Sequence, residues 1–154
     1  MPIINSFRVP DRVVNDGEWV EVGPEGDTYE VCVRAMGSIY RDAVDRLMQS
    51  ALEKLNRSSM KNGIVYNRAT MPSSVREECE AKALAAHCLV NVRGLKKEHD
   101  GPDVTVQEFR ELMVQEQLRD LYIHVLVAAN IASVAREGQA RDAEGNSSAV
   151  SDGA

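Results

Sequence analysis

Aromatic side chains are scarce in this chain, with one Trp, four Tyr and two Phe in 154 residues. Any core must therefore be built from aliphatic side chains and alanine. Cysteine is rarer still. Cys32, Cys79 and Cys88 are an odd number at spacings that form no C-x-x-C pair. That pattern excludes a disulfide framework and fits reduced thiols in a cytosolic protein. Basic charge is short as well: 18 Lys and Arg stand against 24 Asp and Glu, a net charge of -6. Without a basic stripe, nucleic acid is not an expected partner. No apolar run free of charge reaches bilayer length, because the most apolar stretch, Leu118 to Ala135, contains Arg119, Asp120, His124, Asn130 and Ser133. No membrane partner is expected. The opening MPIINSFRVPDR has no basic region followed by an apolar core. It does not read as a signal peptide, and the chain is expected to stay in the cytoplasm.

Catalytic and metal patterns are missing too. The chain contains no G-x-S-x-G, no Walker-type loop and no G-x-G-x-x-G. Cys79, His87 and Cys88 invite a metal reading, but on one helix Cys88 points nearly opposite to Cys79 and His87 lies to the side of both. The carboxylates are scattered over polar helix faces. The expectation is a protein that is not an enzyme and has no cofactor and no metal.

What is present is a single domain of ordinary apolar content, large enough to bury a core. Residues 1–16 carry Pro2 and Pro10 without a sustained period and read as irregular. Glu18 to Val22 and Tyr29 to Arg34 alternate as strands, joined through the turn residues GPEGDT into a hairpin. From Ile39 to Asn56 the pattern is an amphipathic helix, with Ser38 placed to cap it and with Tyr40, Ala43, Val44, Leu47, Met48, Ala51 and Leu55 on its apolar face. Residues 57–72 break the period, with a turn at Asn62-Gly63. Ser74 and Glu77 have the spacing of a capping box, opening a helix that is expected to run to about Arg93 and leave through Gly94. Its face is Val75, Cys79, Ala83, Ala86, Leu89 and Val90. Asp100-Gly101-Pro102 marks a turn, and Thr105 with Glu108 forms a second capping box before Phe109, Leu112 and Met113. A short break near 115–117 precedes the last helix. The final residues, 138–154, are polar and rich in Gly and Ser, and read as a disordered tail. The expected fold is mainly α with a small N-terminal β-hairpin, an α+β domain over 17–137 whose three to four helices form a bundle.

The last helix is the feature around which function is read. Leu118, Leu121, Tyr122, Val125, Ala129 and Ala132 form one apolar stripe. Ile123, Val127, Ile131 and Val134 form a second on roughly the opposite side. A helix with two apolar stripes must cover both, either inside the domain or against another chain. Ile123, Val127, Ile131 and Val134 are therefore the candidate partner-binding residues.

The order of elements resembles the tail assembly chaperones of long-tailed bacteriophages. The resemblance covers roughly residues 17–137. It is carried by Leu89, Val90, Gly94 and Leu95, by Asp100-Gly101, by Val104-Thr105 with Glu108, and by Leu118, Leu121, Ile123 and Asn130. The family often has a tryptophan two residues before the glycine, and here that place holds Val92. The resemblance implies a non-enzymatic binder of the tape measure protein, keeping it soluble while tail tube subunits assemble round it. It further implies a homo-oligomer that acts in the host cytoplasm and is absent from the mature virion. Two other classes fit less well: a structural component such as a head-tail connector or tail terminator, and an enzyme or small-molecule binder.

Overall fold

The computed structural model describes residues 1–136; the expected tail, 138–154, lies outside the described residues. The fold is α+β, with helices α1 (Asp11–Asn15), α2 (Ser38–Ser59), α3 (Ser73–His87), α4 (Val106–Leu112) and α5 (Arg119–Val134). Strands β1 (Glu18–Val22), β2 (Tyr29–Val33) and β3 (Leu89–Arg93) make one antiparallel sheet in the order β1-β2-β3. The hairpin stands where alternation places it, pairing Glu18 with Val33 and Val22 with Tyr29.

The third strand departs from expectation. The helix expected to reach Arg93 stops at His87, and Leu89–Arg93 is extended against β2. Leu89 lies opposite Val33 and Asn91 opposite Cys32, so Val90 is the extra residue of a bulge. Val92 returns to the core face beside Val31. Gly94 takes the left-handed φ of +80° foreseen for it, but leaves a strand, close to the backbone of Tyr29.

Val20, Val22, Tyr29, Val31, Val33, Leu89 and Val92 give the sheet one apolar face. On it lie α5, touching β1 and β2, and α3 and α4, touching β3. The expected three-to-four-helix bundle is not what the described residues show, because a sheet has taken the place of helical neighbours. α2 pairs with α3, and α5 packs on strands. α3, rather than α5, is the helix covered on two sides. Its Ala81, Leu84, Ala85 and Cys88 enter the main core, while Cys79 and Val75 pack with Met48, Leu52 and Met71 in a second cluster beneath α2. Its small side chains allow both approaches, and Ala86, expected on its apolar face, is exposed.

Residues 1–16 are less irregular than their composition suggests. Ile4–Phe7 forms a 3-10 turn, and α1 places Val13 fully inside the main core. Gly17 then reverses the chain into β1 at a φ of +88°, where a Cβ would stand 3.0 Å from Cys32 Sγ. The long connection after α2 is strapped down. Asn56 exchanges two hydrogen bonds with the Tyr66 backbone, Arg68 pairs with Asp45 at 2.7 Å, and Met71 is buried.

Helix ends follow the sequence in part. Thr105 Oγ1 accepts from the Glu108 amide and the Glu108 carboxylate accepts from the Thr105 amide, completing that capping box. Ser74 and Glu77 form none, and the N-cap of α3 is Pro72. Glu77 is instead held by Arg119 of α5, with Nη2 at 2.9 Å. Ser38 is the first residue of α2 rather than its cap.

Candidate functional site

The two stripes of α5 separate over the second half of the helix. Tyr122, Val125, Ala129 and Ala132 are buried, as is Ala128. On the other side Val127 is 49 %, Ile131 48 % and Val134 63 % exposed, while Ile123 is half-buried and packs against the main core. Three of the four candidate residues thus form an uncovered apolar line along the second half of the helix, and the fourth belongs largely to the fold. Nothing among the described residues lies over Val127 and Ile131.

Polar side chains position the helix. Arg119 and Tyr122 face α3, where the Tyr122 hydroxyl donates to Glu80 at 3.1 Å. His124 Nδ1 and the Tyr29 hydroxyl share a hydrogen bond of 2.9 Å. The Tyr29 ring stands 6.0 Å from that of Phe109, which is fully buried. Near the other end, Ser133 Oγ accepts from the Met36 amide. Burial raises the Tyr29 and Tyr122 hydroxyls well above the ordinary tyrosine range, so both stay protonated donors.

A second apolar surface was not legible as a site in the sequence. The chain after β3 folds back on itself, with the Val104 amide donating to the Leu95 carbonyl and Lys96 bridging to Asp103. Asp100 turns this excursion at a φ of +59°. Between it, α4 and the start of α5 runs a groove of about 560 Å³. Its apolar lining is Leu95, Val104, Leu112, Leu118 and Leu121, and its rim carries Lys96, Lys97, Glu108 and Glu111. The four leucines are half-buried, each with surface left open to water. Lys97 and Glu108 pair at the rim, and that contact together with Thr105 holds the Glu108 carboxyl below its usual range. The leucines are spread over 27 positions, 95 to 121, and only the fold brings them to one wall.

A cleft of about 590 Å³ between the start of α3 and the start of α5 is lined by Glu77, Glu78, Arg119 and Tyr122. Arg119 and Glu77 neutralise each other there. Among the described residues, no group of His, Cys, Asp and Glu could hold a metal ion. No described helix is long and apolar enough to cross a membrane. The three thiols are buried and unpaired, and burial pushes Cys88 up to about 12. No protein-family profile, curated protein or solved structure matches the chain.

Proposed function

We propose that this protein is an assembly chaperone of the phage-tail type, which holds an amphipathic helix of a tape measure protein in the leucine-walled groove. One observation carries the reading. Leu95, Val104, Glu108, Leu118 and Leu121, residues on which the resemblance to tail assembly chaperones rests, all line that groove. A groove of half-exposed leucines under a charged rim suits a helix that presents apolar anchors at i, i+3, i+4 and i+7. Apolar side chains enter between the leucines, and Lys96, Lys97, Glu108 and Glu111 meet the polar flanks. The chaperone needs no catalytic group, works in the host cytoplasm on the client before tail tube subunits close round it, and does not remain in the finished particle. Its acidic balance keeps a protein with open apolar surface soluble.

The test is co-expression with a tape measure protein, followed by pull-down. The wild-type chain is expected to retain the client in the soluble fraction. Leu118→Glu is expected to lose the client while keeping its own melting temperature, because Leu118 is half-buried and outside both core clusters. A Leu118→Glu variant that still carries the client removes the groove from the mechanism. A wild-type chain that retains none removes the function.

A further inference from the structure

Among the described residues, one edge of the sheet is left open. β1 pairs with β2 on one side, and on the other side its main chain makes no hydrogen bond to any described residue. Sheet edges exposed to water are ordinarily kept short or blunted by charge, lysine above all, by proline, by a bulge or by a covering segment. β1 reads Glu-Trp-Val-Glu-Val: it has no lysine and no proline, its pairing with β2 runs without a bulge, and the charge along it is confined to Glu18 and Glu21. β3, by contrast, has α4 against it, with Arg110 donating to the Leu89 carbonyl.

We propose that β1 pairs antiparallel with β1 of a second copy, joining two sheets into one of six strands, and that the exposed line of α5 packs against its two-fold mate. Three features of the strand and helix suit a second copy as the occupant. The first is charge. With Val20 on the two-fold axis, Glu18 lies opposite Val22 and Glu21 opposite Trp19, so no carboxylate faces another. Moving the centre to Glu21 would set the two glutamates against each other, which disfavours that register. The second is facing. The Val20-centred register keeps Val20 and Val22 of both copies on the same side, so the two apolar faces become continuous. The third is spacing. α5 lies against both β1 and β2. With its axis over the line between them, pairing at the usual strand separation sets the two α5 axes about 9.6 Å apart, within the roughly 8–10 Å of packed helices. Arg119 and Tyr122 commit one flank of α5 to α3. Val127 and Ile131 stand on the side turned away from α3, where the mate arrives. This interface uses β1 and the second half of α5, and it stands whether or not the leucine groove takes a client.

Sedimentation equilibrium of the full chain at micromolar concentration is expected to give twice the 17.0 kDa of one copy. Ile131→Glu, a change at a half-exposed position, is expected to return the monomer mass with an unchanged helical CD spectrum. Register is read by cross-linking in a Cys32→Ala background, which removes the thiol lying across the strand from position 19. Trp19→Cys mixed with Glu21→Cys is expected to form the intermolecular disulfide under mild oxidation, and neither variant alone is. A monomeric wild-type chain, an Ile131→Glu chain that stays dimeric, or cross-linking in either single variant overturns the proposal.

Discussion

Arg110 offers the sharpest energetic test of the fold, because it ties together the junction at which α3 becomes β3. Its Nε donates to the Ala85 carbonyl and its Nη2 to the Leu89 carbonyl, both at 3.0 Å. The first carbonyl belongs to the last turn of a helix, where a cation also meets the negative end of the dipole. Arg110→Met keeps most of the apolar stem and removes both bonds. Each hydrogen bond to a charged group contributes about 1.5–3 kcal/mol. Arg110 is half-exposed, so the lower end of that range applies, and the pair together stabilises the fold by about 3 kcal/mol. For a domain of this size that is roughly 6–10 °C in Tm. Arg110→Lys retains the charge but has no fork with which to span two carbonyls, and is expected to recover about half of the loss. Urea unfolding followed by CD measures both variants, and hydrogen exchange at residues 89–93 localises the effect. If Arg110→Met lies within about 0.5 kcal/mol of wild type, the range of neutral surface changes, or Arg110→Lys restores full stability, the fork does not hold this junction.

Three further outcomes are expected. Val125→Ala should cost about 2–3 kcal/mol from two lost methyl groups and the cavity they leave, whereas Val127→Ala should stay within about 0.5 kcal/mol in the dilute chain, where alanine's helix propensity offsets a half-exposed valine; equal losses in urea unfolding would show that the two faces of α5 are misassigned. Burial raises all three thiols above the ordinary range, Cys88 to about 12, so a thiol reagent at pH 8 should modify the native chain far more slowly than the urea-unfolded one, and rapid native labelling would contradict the packing. The carboxyls of Glu30, Glu77 and Glu108 are lowered by Arg93, Arg119 and Lys97 respectively. Their contribution is therefore present above the unfolded value of about 4.5 and is lost as pH falls through the lower folded values. Tm is expected to be level from pH 7 to 5 and to decline modestly below about 4, since these pairs are exposed.

Much of the architecture could be read where the signal is local. The strand alternation of Glu18–Val22 and Tyr29–Val33, the stripe of α2 and the box of Thr105 and Glu108 depend on neighbours a few residues away. β3 depends on β2, about 60 positions earlier, and Ala83, Ala86, Leu89 and Val90 happen to continue a helical spacing through the junction. Its local signal was the β-branched pair Val90 and Val92 on either side of a polar residue, ahead of a glycine. Glu77 had the right spacing for a cap, but Arg119, 42 residues later, took the carboxylate. The leucine groove had no sequence period at all, because its residues come from a loop, a helix and the approach to another helix. The second apolar stripe of α5 could be read in outline, with Val127, Ile131 and Val134 left exposed, and only packing revealed that Ile123 serves the core.

Trp19 is the lone indole of the chain. It lies on the outer face of the sheet, with the Arg93 guanidinium 4.0 Å from its ring centre. The leucine groove is walled by other elements: the loop after β3, α4 and the start of α5. The chain thus carries a single indole fluorophore, set on the sheet and not among the residues that line the groove. Dilution of the proposed dimer is expected to shift its emission, whereas a helix seated in the proposed groove is expected to leave the spectrum constant.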